Sequence, residues 1–134
     1  MSGSAVAAFR PEGLCRGNIA AERIRNFAIL SVGGDGHLER VIEKPSDEMY
    51  SRIKDGVLVS MNCWRFTPVI FEACRAIPRS VRGEYELTDA VSYAIDKLGE
   101  RFEVLVVDDP VLDLSTQADV AEVARRLASV EVRL

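Results

Sequence analysis

Phe27-Ala28-Ile29-Leu30-Ser31-Val32 runs into Gly33-Gly34-Asp35-Gly36 and then into His37-Leu38-Glu39-Arg40-Val41-Ile42-Glu43-Lys44-Pro45. Two strand-like runs on either side of a glycine turn predict a β-hairpin. The second run ends on a carboxylate and an ammonium side by side, because Pro45 has no N–H with which to continue the ladder. Ser46 follows as the cap of a helix with Asp47 and Glu48 in its first turn, running to about Lys54 and stopped by Gly56. Before the hairpin, Ala5 to Phe9 is short and apolar, Pro11 and Gly13 break it, and Gly17 to Arg25 is a polar connector.

Beyond the hairpin, Val57 to Phe66 is the longest strand. Its alternation puts Asn62 on one face with Ser60 and Trp64, near the middle of an otherwise apolar segment. A buried amide there needs partners, so Asn62 is either bonded to neighbouring backbone or a ligand contact. Thr67-Pro68 opens a helix whose buried face is Val69, Ile70, Ala73, Cys74 and Ile77. Arg79 to Gly83 is a basic loop. A further helix begins near Thr88-Asp89 and carries Val91, Ala94, Ile95 and Leu98 to a Gly99 stop. Phe102 to Val107 reads as a buried strand, and Val111 to Leu114 as a second extended piece. Thr116-x-x-Asp119 is a capping-box variant for a last helix with Val120, Val123, Ala124 and Leu127 inward. Val130 to Leu134 alternates like an edge strand. Strands and helices alternate throughout, which makes the chain α/β with a mixed sheet flanked by helices.

With 134 residues the chain fits one domain, residues 1–134, able to bury roughly two-thirds of its unfolded surface. A net charge of −4 and the lack of a basic stripe argue against nucleic acid. No apolar run is long enough to span a membrane. Cys15, Cys63 and Cys74 are odd in number and widely spaced, and a lone His37 leaves no zinc set, so the thiols read as reduced interior cysteines of a cytoplasmic protein. Lysine usage singles out Lys44. Only Lys44, Lys54 and Lys97 are lysines among 17 basic residues, and the other two precede Gly56 and Gly99, where a cation offsets a helix dipole. Lys44 has no such role, and a compact, rotatable point charge at a strand end suits a phosphate; the plainer reading is a solvated strand end.

Four stretches occur in order: Val41-Ile42-Glu43-Lys44-Pro45, Val59-Ser60-Met61-Asn62-Cys63-Trp64-Arg65-Phe66, Gly83-Glu84-Tyr85-Glu86-Leu87-Thr88-Asp89 and Leu112-Asp113-Leu114-Ser115-Thr116. Together they resemble the C-terminal half of the sugar 1-phosphate nucleotidyltransferases, the nucleotide-sugar pyrophosphorylases, from about Asn18 to Leu127. The resemblance implies the second half of a Rossmann-like nucleotide-diphospho-sugar transferase fold. It implies a reaction of a sugar 1-phosphate with a nucleoside triphosphate, with Mg2+ as cofactor. It gives Glu43 the sugar hydroxyls, Lys44 the sugar phosphate and hence the catalytic role, and Asp113 the metal. Asn62 lies where the family's sugar-pocket strand usually carries a glycine, and Ser115 also replaces a glycine. Glu84, Glu86 and Asp89 match a motif of mainly structural role.

The glycine-rich loop that cradles the triphosphate in this family has no counterpart here. Gly33-Gly34-Asp35-Gly36 sits in a hairpin with no helix or basic residue after it. The expectation is an acceptor half alone, which does not turn over by itself and either forms a homo-oligomer or pairs with a missing N-terminal half. The alternatives are a non-catalytic sugar-phosphate sensor or partner domain, and a plain α/β interaction domain.

Overall fold

The computed structural model describes residues 3–53 and 56–133. Five strands form one sheet in the order β3-β2-β4-β1-β5. They are β1 (Ser4–Phe9), β2 (Ile29–Val32), β3 (Leu38–Ile42), β4 (Leu58–Arg65) and β5 (Phe102–Val107). The sheet is mixed: β1 runs parallel to β5, whereas the β1–β4, β2–β3 and β2–β4 pairs are antiparallel. The helices are α1 (Pro11–Cys15), α2 (Asp47–Ile53), α3 (Val69–Ala76), α4 (Leu87–Leu98) and α5 (Gln117–Leu127), with a 3-10 turn at Ala21–Asn26. The α/β class expected from the alternation of elements is the one observed.

Each face of the sheet carries its own core. On one, Val6, Ala8, Leu30, Leu38 and Phe102 pack under Ile70, Ala73 and Ile77 of the α3 side and Ala90, Val91 and Ala94 of α4. Trp64 and Phe66 stack with centroids 5.8 Å apart, and both meet Phe102 edge-on, an arrangement that suits the ring quadrupoles. Burying a side chain the size of Phe102 stabilises the fold by about 1.5–3 kcal/mol. On the other face Leu14, Ile19, Ile24, Ile29, Val57 and Val59 form a second cluster under α1 and the 3-10 turn. The two outer strands meet at one corner, where His37 bridges to Glu103 and Arg101 donates to Asp35 at 3.1 Å.

The hairpin, the α2 cap and the α4 stop follow their local chemistry. Gly33 N–H donates to the His37 carbonyl across the turn at 2.9 Å. Ser46 Oγ accepts the Met49 N–H at 3.2 Å, and Gly99 ends α4 at φ +67. The capping box on α5 is present, with Thr116 and Asp119 each accepting from the other's backbone. The end of α2 expected at Lys54 lies outside the described residues.

Several expectations are corrected. Pro11 and Gly13 do not break the chain but form α1, with proline at the start of the helix. Gly13 is needed there because a Cβ would lie 2.9 Å from the Asp108 carbonyl carbon. Thr67 does not cap α3; its hydroxyl donates to Glu100 at 2.6 Å, and its N–H goes to Ser4 Oγ at 3.1 Å. All three cysteines are exposed free thiols, Cys74 included. The strand β5 is an edge, with Leu105 43% and Val106 50% exposed. Of the α5 residues expected inward only Val123 is buried, while Val120, Ala124 and Leu127 are exposed. Neither Val111–Leu114 nor residues 130–133 form strands.

The largest correction concerns Asn62. The β1–β4 register shifts between Val6 and Ala8, so that Val6 faces Trp64 and Ala8 faces Ser60. The extra residues bulge out of β4, alternation fails there, and Asn62 is exposed with φ +56. It is no buried amide. Asparagine tolerates the left-handed region better than most residues, which accounts for its place in a strand that its propensity disfavours.

Candidate functional site

Lys44 departs from ordinary backbone too. Its φ is +43, in a region where non-glycine residues are uncommon. The hairpin carries β3 to Ile42, and Pro45 is buried while Glu43 and Lys44 stand exposed. The chain thus turns sharply between an anchored strand and an anchored proline, and displays the two charges at the bend.

The loop before α4 meets this bend. Its shape is tied internally: Ser80 N–H donates to the Glu84 carbonyl and Gly83 N–H to the Ser80 carbonyl, both at 2.8 Å. Arg82 donates to Glu86 Oε1 through Nε at 2.9 Å and Nη2 at 2.6 Å, and Ser80 Oγ adds a third bond at 3.1 Å. These bonds from Arg82 hold the Glu86 carboxyl below its usual range, and the positive charge of Lys44 contributes. The same pairing raises Arg82, with the charge of Glu43 contributing. Glu43, Lys44, Arg82 and Glu86 therefore share one electrostatic neighbourhood of alternating sign. Arg82 was not singled out from the sequence. Its spacing of four from Glu86, in a segment already noted as basic, was the available signal.

Beside this end a cleft of about 380 Å³ is lined by Ile29, Ile42, Arg52, Gly56 and Val57, among others. Its wall stops one residue short of Glu43. Asn62 stands apart on the β4 bulge, where its N–H donates to Ser60 Oγ at 3.2 Å.

Asp113 belongs to a second cluster. Asn18 holds its backbone in both directions, Nδ2 donating to the Asp113 carbonyl and Oδ1 accepting its N–H, each at 2.7 Å. Oδ2 of Asp113 accepts from Arg23 Nη2 at 2.7 Å and from the Ser115 hydroxyl. Arg23 also reaches Asp119 Oδ1 at 3.0 Å. The backbone N–H of Thr116 is the first cause that lowers the Asp119 pKa to about 2, followed by Arg23.

No family model matches the chain. Comparison with curated proteins finds a UTP–glucose-1-phosphate uridylyltransferase of Haloferax volcanii, 33% identical over 101 residues, 75% of this chain and 39% of the relative. A glucose-1-phosphate thymidylyltransferase of Streptomyces antibioticus is 34% identical over 109 residues, 81% of this chain and 29% of the relative. The bifunctional protein GlmU of Methanococcus vannielii is 32% identical over 72 residues, 53% of this chain and 17% of its own length. The chain's relatives are sugar 1-phosphate nucleotidyltransferases. It spans well under half the length of those it matches.

Against this nucleotidyltransferase background the left-handed backbone at Asn62 has a physical meaning. The glycine that the family resemblance places there and the asparagine found here both tolerate positive φ. A divalent cation fits Asp113 only in a limited sense. Among the described residues no group of three His, Cys, Asp or Glu side chains could hold a metal ion by itself. Oδ2 of Asp113 is taken by Arg23 and Ser115, which leaves Oδ1. That donor set suits magnesium arriving with phosphate oxygens and water, for which one or two carboxylates suffice. No helix among the described residues is long and apolar enough to cross a membrane.

Proposed function

We propose that this chain forms the acceptor side of a nucleotidyltransferase, where it binds a sugar 1-phosphate through Glu43, Lys44 and Asn62. The observation that carries this reading is the strained bend at Lys44. A non-glycine residue held at φ +43 costs the fold of order 1–3 kcal/mol, and here that strain exposes an ammonium instead of burying a side chain. The relatives named above act, by their names, on glucose 1-phosphate, and glucose 1-phosphate is the ligand with which to test this chain.

In this reading Lys44 takes the sugar phosphate as a point charge, and Glu43 accepts hydrogen bonds from sugar hydroxyls. Arg82 lies close enough to add positive potential, while Glu86 keeps its guanidinium in place. Asn62 offers an amide, donor and acceptor both, to the sugar. In the whole reaction an oxygen of the bound phosphate attacks the α-phosphorus of a nucleoside triphosphate in line, and pyrophosphate leaves. Positioning and charge neutralisation do most of such work, because two anions must be brought together. Bound alongside the phosphates and Asp113, magnesium would offset the charge on the leaving group. The direct test is calorimetric titration of glucose 1-phosphate into the parent chain and Lys44→Ala.

A further inference from the structure

We propose that Arg23 is a positioning residue for Asp113: its guanidinium forks between Asp113 and Asp119 and fixes the Asp113 carboxylate with Oδ1 free for a cation that arrives with phosphate. This rests on the reading of Asp113 as a metal-side carboxylate given above.

The geometry is specific. Arg23, on the 3-10 turn, donates through Nη2 to Asp113 Oδ2 at 2.7 Å and through Nη1 to Asp119 Oδ1 at 3.0 Å. All three side chains are largely withdrawn from solvent, with 25%, 19% and 10% exposure for Arg23, Asp113 and Asp119. Asp119 cannot swing away, since it also accepts from Thr116 N–H at 2.8 Å, Ser115 N–H at 3.1 Å and Thr116 Oγ1 at 3.0 Å. Nor can the Asp113 backbone, which Asn18 holds from both sides.

With its backbone clamped and Oδ2 occupied, Asp113 keeps one carboxylate orientation. Oδ1 accepts no bond among the described residues and is not among their buried, unsatisfied polar atoms, so it meets solvent. One guanidinium between two carboxylates leaves the trio net negative, so the cluster still attracts a cation. A ligating carboxylate that is itself hydrogen-bonded follows the general pattern of metal sites, where loss of the outer partner costs 10–100-fold in affinity. Lysine cannot replace the fork, because it lacks the planar, two-armed donor set.

The test is paramagnetic broadening of amide resonances by Mn2+, alone and with glucose 1-phosphate, on the intact chain. The parent is expected to broaden at Asp113, Leu114 and Ser115. Arg23→Lys should raise the Mn2+ concentration needed for that broadening by about 10-fold or more, and Asp113→Asn should abolish it. Asp119→Asn removes the other arm of the fork while Arg23 still holds Asp113, so it should lower the melting temperature yet keep the broadening. If Arg23→Lys does not fold, Arg23→Gln is read in the same way. Unchanged Mn2+ dependence in the Arg23 variant would overturn the positioning role and leave Asp113 standing. Absence of broadening in the parent would overturn both, whereas failure of the sugar-phosphate titration would count against the Glu43–Lys44 site instead.

Discussion

Lys44 and Asn62 are the two described residues other than glycine with positive φ, +43 and +56. One ends a strand and the other bulges out of the neighbourhood of a second, and both expose side chains that can hydrogen-bond a ligand. In a sheet whose remaining described backbone is regular, that coincidence links the two positions. Strain at exposed polar residues is kept when the site needs the shape.

For Asn62 the outcome depends on the backbone. Asn62→Gly should be neutral or slightly stabilising. Asn62→Val should cost about 1–2 kcal/mol, the penalty of the left-handed region for an L-residue, because a β-branched side chain tolerates it poorly. Urea unfolding of the three proteins measures this, and equal stability of the valine variant would mean that the bulge relaxes at no cost.

Gly17 gives the sharpest packing prediction. A Cβ on it would lie 2.1 Å from the Val111 carbonyl oxygen, so the segment leading to Asp113 must move. Gly17→Ala should destabilise the chain by about 3 kcal/mol, the upper part of the usual overpacking range. The same variant should disturb the amide resonances of Val111 to Asp113. A melting temperature unchanged from the parent would show that the two backbones are not in contact.

The hairpin, the Ser46 cap, the Gly99 stop and the Thr116–Asp119 box were legible in the sequence because each depends on residues close together in the chain. The bulge at Asn62 was not. It arises from the register of β4 against β1, whose residues lie some fifty positions away and carry no local mark of the shift. Thr67 looked like a cap because proline follows it, but Glu100 is nearer and charged, and takes the hydroxyl. The apolar residues of α5 kept helical spacing yet stay exposed, since the amphipathic pattern shows a face and not what lies opposite it. Of the site, Glu43 and Lys44 could be read from composition and position. The Arg82–Glu86 pair needed the loop to close on itself before its proximity to them emerged.

Acid stability should reflect Asp119. Its carboxyl is held near pKa 2 against an ordinary 3.8. Above the ordinary value both folded and unfolded forms are ionised, and the stabilisation is complete. As pH falls from 3.8 through about 2 the unfolded chain binds the proton first and that contribution disappears. Stability followed by urea unfolding across this window should therefore fall less steeply for Asp119→Asn than for the parent. Parallel curves would contradict the assignment.

The exposed edge should have a consequence for assembly. Leu105 and Val106 on β5, with Val120 and Leu127 on α5, leave apolar surface and an unpaired strand edge open. A second copy covering that edge is the expected state, seen as a dimer mass by light scattering and reduced to a monomer by Leu105→Lys. A parent chain that stays monomeric across concentrations would show that this edge needs no cover.

The central claim is that the bend at Lys44 receives a sugar phosphate. Calorimetric titration of glucose 1-phosphate into the parent chain should show saturable binding. Lys44→Ala should weaken it by about 1.5–3 kcal/mol, the worth of a hydrogen bond to a charged group, with little change in melting temperature. Equal affinity of parent and variant, or no heat of binding in the parent, would contradict the account.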